Sequence, residues 1–151
     1  MKKYIIGLLL VILLTGCGTK KAEKLDYKCQ KVAANDNYTL IEYVGYYSFK
    51  DGSASRLAYT EDYIPSNNEI SLGLVNKTIS DKQKKLNKYE NSNFTKKTEN
   101  KKIYTNYSID LGEKNLELLK KDEMYKKYIK NNLFKADKYI EDLVMNGYIC
   151  E

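Results

Sequence analysis

The side chains best suited to chemistry in this chain are three cysteines, Cys17, Cys29 and Cys150, and the 151 residues include no histidine. Without histidine the chain cannot assemble a Ser-His-Asp or Cys-His nucleophile, and no imidazole can bind zinc. Cysteines without histidine, and as few as these, make a poor zinc site. Composition therefore excludes most hydrolase mechanisms, and we expect no cofactor.

Phosphate-binding loops and pairs of acids are the next candidates. The eight glycines are scattered, and neither GxGxxG nor GxxxxGK[ST] occurs. Most carboxylates lie in lysine-rich stretches such as EKNLELLKKDEMYKK, residues 113–127. This mixture is typical of a solvated helix face rather than of an acid pair for glycoside cleavage. We expect a protein that is not an enzyme, with carboxylate or tyrosine catalysis as the less favoured alternative.

The residues before Cys17 form three zones, which are a basic start, an apolar core over residues 5–14, and the small residues Thr15 and Gly16. That order predicts a secretory signal. The apolar core is about half the roughly 20 residues that a membrane-spanning helix needs, so it is too short to span permanently.

Leu14, Thr15, Gly16 and Cys17 resemble the lipobox of bacterial lipoproteins, which reads Leu, a small residue, Gly or Ala, and Cys. The resemblance implies that the Cys17 thiol receives a diacylglyceryl group and that the signal is cleaved between Gly16 and Cys17. Two acyl chains, at about 0.8 kcal/mol per buried CH₂, hold a protein at a bilayer. We expect a lipid anchor at the outer face of the cell membrane; an ordinary signal peptide with a chance cysteine is the alternative.

The chain then divides into a signal peptide over residues 1–16, a lipidated N-terminus and tether over residues 17–28, and one domain over residues 29–151. Arg56 is the only arginine among 26 basic residues, and Asn, Ile and Tyr are abundant. This bias is typical of an AT-rich genome and favours a low-GC Gram-positive source. The basic pI is correspondingly weak evidence for a basic binding site.

With Cys17 lipidated, Cys29 and Cys150 remain, and an even pair in an exported chain predicts a disulfide. Closing a loop of that length contributes roughly 5 kcal/mol on the loop-entropy model. A pair of buried free thiols and a redox or metal pair are the alternatives.

Alternation of aromatic and branched residues predicts strands over residues 38–50 and 54–64, joined at Asp51 and Gly52. Ile41, Tyr43, Gly45, Tyr47 and Phe49 share one parity, and we expect them to face the helices. Helical spacing predicts a helix over residues 66–89, capped by Ser66 and interrupted near residues 78–81.

A second hairpin is predicted to turn at residues 99–101, and residues 117–150 read as one helix or two, ending at a left-handed cap on Gly147. The predicted elements follow one another in the order hairpin, helix, hairpin and helix. This order predicts an α+β domain with a four-stranded antiparallel sheet and helices on one face. In this layout the chain resembles the small YehR-like lipoproteins of bacteria, a resemblance that implies no activity.

Two features could bind a partner. The first is tyrosine density, 15 residues in all, with Tyr46 expected on the outward face of its strand. The second is the basic, aromatic stretch over residues 93–107, which contains Lys96, Lys97, Lys101 and Lys102. Tyrosine rings suit a protein, peptide or glycan, and outside a cell nucleic acid is not an expected partner.

The sequence therefore predicts a membrane-anchored surface protein that is a non-enzymatic binding or interaction module. The alternative is a structural or protective envelope domain that contacts anionic cell-wall polymer or lipid headgroups.

Overall fold

A computed structural model describes residues 24–49, 52–66 and 68–151. The described chain forms a six-stranded antiparallel sheet covered by three α-helices. The long strands are β1 (Lys24–Ala34), β2 (Tyr38–Ser48), β3 (Ala54–Pro65), β4 (Asn93–Glu99) and β5 (Lys102–Asp110). The helices are α1 (Glu69–Leu86), α2 (Glu113–Leu119) and α3 (Ala136–Met145). Three two-residue strands complete the fold, namely β6 (Ile129–Lys130), β7 (Leu133–Phe134) and β8 (Ile149–Cys150).

The strand order is β4-β5-β3-β2-β1-β8, and β6 and β7 pair separately. The α+β class is confirmed, but the prediction of four strands is wrong because β1 and β8 extend the sheet. β1 begins at Lys24, inside the segment assigned to the tether, and pairs with β2 along its length. Charged residues did not prevent pairing, since Lys28 reaches solvent while the neighbouring Cys29 is fully buried.

The second hairpin turns where predicted, with Asn100 and Lys101 in the left-handed region at φ 49° and 64°. Gly147 has φ 85°, and the Tyr148 N–H donates to the Leu143 carbonyl at 3.0 Å, which confirms the predicted cap after α3.

α1 starts later than predicted because Asn68, not Ser66, is its cap. The Asn68 side-chain oxygen accepts from the Ser71 N–H at 2.6 Å, and the helix runs unbroken to Leu86. The C-terminal region contains two helices, α2 and α3. A single turn of 3-10 helix and the β6–β7 hairpin separate them.

All three helices pack on one face of the sheet, here called the covered face; the other is the open face. On β3 the covered face carries Leu57, Tyr59 and Tyr63, which are all buried. On β2 the prediction is wrong by one residue. Val44 lies opposite Tyr59 and Glu42 opposite Glu61.

Of the predicted inward set, Phe49 follows the end of β2, whereas Ile41, Tyr43, Gly45 and Tyr47 lie on the open face. There the Lys28 ammonium is 5.1 Å from the Tyr43 ring centroid, and the Arg56 guanidinium is 4.7 Å from that of Tyr47. The physical reason is that the covered face accepts carboxylates, because hydroxyl groups and a lysine satisfy them inside the domain.

The predicted disulfide is present. Cys29 on β1 and Cys150 on β8 are joined across 121 residues of sequence, and the two strands pair directly at that point. The bridge ties the end of the chain to the sheet.

Candidate functional site

A cleft of about 1120 Å³ lies on the covered face between α1 and α3, with β2, β3 and β5 as its floor and residues 121–128 along one side. We call it the tyrosine cleft. Its lining is mainly aromatic and charged rather than aliphatic, with six lysines and four carboxylates. The tyrosines are Tyr59, Tyr89, Tyr107, Tyr125, Tyr128, Tyr139 and Tyr148, and the lysines are Lys31, Lys82, Lys85, Lys88, Lys121 and Lys127.

Three buried tyrosines meet at the floor of the cleft and form the Tyr59 cluster, which is Tyr59, Tyr125 and Tyr139. The Tyr59 hydroxyl lies 2.8 Å from the hydroxyl of Tyr125 and 2.8 Å from that of Tyr139. Each hydroxyl carries one hydrogen, and two contacts use two of the three. One hydrogen is left for a further acceptor, and the described residues supply none.

Burial keeps these hydroxyls protonated. Desolvation, followed by the neighbouring phenols, raises the pKa of Tyr59 well above its ordinary value of 10.0. Burial likewise raises the pKa of Tyr125 and of Tyr139. The cluster therefore presents neutral hydrogen-bond donors at any physiological pH.

A second polar group lies beside it, under α1. In the Glu61 cluster, Glu61 is only 1% exposed. Its Oε2 atom accepts from the hydroxyls of Tyr63 and Thr105, each at 3.0 Å. Its Oε1 atom accepts from the Tyr107 hydroxyl at 3.0 Å and from the Lys82 ammonium. Four donors occupy both oxygens, which satisfies the buried charge.

Glu42 lies directly across from Glu61 on the neighbouring strand and lines the cleft. It accepts a hydrogen bond of 2.9 Å from the Tyr148 hydroxyl. Two carboxylates thus lie side by side, as acid catalysis would need. Only Glu42 is accessible, because the partners of Glu61 enclose it.

Lysine ammonium groups stand over tyrosine rings around the cleft, an arrangement that attracts the cation to the ring face. The distances from nitrogen to ring centroid are 5.4 Å for Lys31 and Tyr148, 5.4 Å for Lys82 and Tyr107, 4.8 Å for Lys88 and Tyr89, and 4.9 Å for Lys127 and Tyr128.

Two of the rim lysines also pair with carboxylates, Lys88 with Asp122 at 2.9 Å and Lys127 with Asp142. Lys85 and Lys121 are exposed at the rim, and their side chains make no hydrogen bond or ion pair within the described part of the chain. They are free to meet a negatively charged ligand.

The predicted binding residues do not come together. Tyr46 is half-buried on the covered face, where it lines a separate pocket at one end of the sheet. Lys96 donates to the Asn76 side chain at 2.6 Å, and Lys97 pairs with Glu99 at 2.7 Å. These lysines lie on β4, three strands away from Tyr46 on β2, while Lys101 and Lys102 lie at the β4–β5 turn. Gly16 and Cys17 lie outside the described residues.

Sequence reasoning missed the tyrosine cleft, although a signal was present. Tyr59 and Tyr107 sit at inward parity of their strands, and Tyr139 belongs to the apolar stripe of its helix. Tyrosine at inward positions of three elements indicates hydroxyl groups that must find partners inside the domain.

Comparison with known proteins bears on the N-terminus. The family model for the prokaryotic membrane lipoprotein lipid attachment site matches residues 1–17, ending on the predicted lipid-carrying cysteine. The chain is a membrane-anchored lipoprotein. No curated protein and no solved structure matches it, so the resemblance to YehR-like lipoproteins has no support. In the described part of this lipoprotein, none of the helices has the length and apolar character needed to cross a bilayer.

Proposed function

We propose that this lipoprotein is a non-enzymatic binding module and that its ligand enters the tyrosine cleft. The observation that carries the proposal is the unused hydroxyl hydrogen of the Tyr59 cluster at the floor of a large cleft. The hydroxyls line the cleft, so a ligand oxygen that reaches its floor would take the place of water as the acceptor of this hydrogen.

The chemistry of the cleft favours binding over catalysis. The Glu61 carboxylate has four donors and almost no exposure, so it is poorly placed to exchange protons with a substrate. Burial and the nearby Glu61 charge raise the pKa of Tyr107 well above its ordinary value, which disfavours a tyrosinate nucleophile.

The lining also suggests what the ligand carries. Tyrosine rings offer flat faces for a sugar ring or a peptide side chain, and the buried hydroxyl seeks an oxygen acceptor. Lys85 and Lys121 offer unpaired positive charge at the rim. We therefore propose an anionic glycan or peptide with carboxylate or phosphate groups.

A binding experiment on two matched tyrosines tests the proposal. The protein would be isotopically labelled and its tyrosine NMR signals followed during titration. The ligands would be glycan and peptide fragments from a bacterial envelope that carry carboxylate or phosphate groups. We expect Lys121→Ala to weaken binding by about tenfold, the value of a hydrogen bond to a charged group. Tyr139→Phe removes one hydroxyl from the cleft and confines the unused hydrogen to Tyr59 or Tyr125, so we expect it to weaken binding as well. Tyr104→Phe, on the open face, is the matched control and should leave binding unchanged.

Two results would contradict the proposal. Signals that shift only on the open face would place the ligand elsewhere. Conversion of a bound fragment, seen by mass spectrometry and lost in Glu42→Gln, would show that the cleft is catalytic.

A further inference from the structure

The lipid anchor and the start of the sheet lie close together in sequence. Six residues separate Cys17, the end of the lipid attachment match, from Lys24, the first residue of β1. Seven Cα to Cα steps span at most about 25 Å even when fully extended. Lys24 must therefore stay within that distance of the anchored cysteine.

Several other elements begin or end beside Lys24, and together they form what we call the near end of the domain. Lys24 pairs with Ser48 at the close of β2, and Ser48 pairs with Ala54 at the opening of β3. The Leu111 N–H, just after β5, donates to the Ser55 carbonyl at 2.8 Å. The far end holds the turn after β1 and the start of α1.

The length of β1 decides which end can face the membrane. Its 11 residues extend roughly 35 Å at the rise of a β-strand. If the far end stood on the bilayer, Lys24 would be that far above the surface, beyond the reach of the tether. Exposed apolar residues cannot decide the matter alone, because the far end also has several, among them Ile70 at 74% and Val32 at 59% exposure.

Apolar side chains cluster at the near end, beside the carboxylates of Glu113, Glu117 and Asp137. A pocket of about 700 Å³ lies there, lined in part by Phe49, Leu111, Leu116 and Phe134. Leu133 at its margin is 54% exposed. Leu25 on β1 is 45% exposed, one residue from the lysine that starts the strand.

We infer that the near end of the domain is a membrane-contacting surface, with Leu25 and Leu133 in the interfacial region of the bilayer that holds the lipid anchor. The partner is the lipid surface itself. Apolar side chains of an anchored protein enter the boundary between headgroups and acyl chains by 5–10 Å. The contact fixes the orientation of the domain and leaves its far end pointing away from the membrane.

Single tryptophans test the inference, because the chain contains no tryptophan. The first matched pair is Leu25→Trp and Val32→Trp, two exposed positions of the same strand; Val32 is 59% exposed and lies about 23 Å further along β1. The second pair is Leu133→Trp and Ile70→Trp, at opposite ends. Each variant of the full lipidated protein would be placed in vesicles of phosphatidylcholine and phosphatidylglycerol with brominated acyl chains.

We expect bromine to quench the tryptophans at positions 25 and 133 by about twofold or more, since these side chains enter the acyl boundary. The tryptophans at positions 32 and 70 should keep the emission that they show in unbrominated vesicles. Equal quenching at both ends, quenching at positions 32 and 70 alone, or no quenching at any position would overturn the inference. Because each position is exposed, thermal unfolding should match that of the unsubstituted protein in all four variants, and the pairs provide two independent readings.

Discussion

Two buried polar groups lie two residues apart on the same strand and differ in one respect. The Glu61 cluster is built around a charge, and its four donors occupy both carboxylate oxygens. The Tyr59 cluster is built from neutral hydroxyls and has one hydrogen more than its contacts use. The first is complete without a ligand, whereas the second is not.

The difference separates a structural role from a binding role. A saturated charge holds β3, β5 and α1 together, because each supplies a donor or an acceptor. An unsaturated group of hydroxyls at the floor of a cleft gains from an added acceptor. Removing the Glu61 cluster should therefore damage folding, and removing the Tyr59 cluster should damage stability less and binding more.

The largest loss of stability should follow removal of the disulfide. This bridge holds α3, and with it Tyr139, against the sheet. Replacing both cysteines, Cys29→Ser with Cys150→Ser, removes a closed loop of 121 residues, and the loop-entropy model gives a loss of about 5 kcal/mol. Urea unfolding of wild type and variant would measure it.

Amide exchange in the same variant would sharpen the comparison. β8 follows α3 directly, so α3 should lose protection before α1, and the Tyr59 cluster should loosen while the Glu61 cluster persists. An unchanged urea midpoint, or α1 opening first, would contradict this assignment.

Glu61→Ala should cause the next largest loss of stability and lower the free energy of unfolding by about 3–5 kcal/mol. The change leaves a lysine and three hydroxyls without their shared acceptor. Asp62→Ala, the neighbouring residue on the open face, is the matched control and should cost far less. The free energy of unfolding would be measured by urea titration. Equal losses in both variants would show that the Glu61 cluster does not hold the sheet to α1.

Several elements of this architecture could be predicted from the sequence because local rules determine them. The turn at residues 99–101 and the cap after α3 contain Asn100 and Gly147, residue types that adopt positive φ at low cost. β1 could not be read in this way, because its first residues, Lys24 to Lys28, fall in the segment predicted to be the tether. Pairing with β2 and β8 stabilises it, and this is a long-range effect.

The inverted face of β2 has the same kind of cause. Its two parities are almost equally apolar, and Glu42 made one of them look outward. The side chains that accommodate carboxylates inside the domain come from distant parts of the chain, among them Lys82 and Tyr148. The alternation of one strand carries no information about them, so the tyrosine cleft stayed unrecognised.

Tyr59→Phe should have the smallest effect on stability, and pH provides its signature. The change removes two hydrogen bonds and leaves two hydroxyls unpaired, at a cost of about 1–3 kcal/mol at neutral pH. In the wild type, burial raises the pKa of Tyr59 above its value in the unfolded chain. The folded state therefore keeps a proton that the unfolded state releases above pH 10, so stability falls as the pH rises from there.

In Tyr59→Phe, the free energy of unfolding should fall less steeply above pH 10 than in the wild type, by up to about 1.4 kcal/mol per pH unit. Urea midpoints of wild type and Tyr59→Phe between pH 7 and 11 would measure the difference. Below pH 9 the two curves should run parallel. If they stay parallel to pH 11, the Tyr59 hydroxyl is not held protonated by the fold, and the cluster would lose its role as a buried donor, which is the feature that sets it apart from the Glu61 cluster.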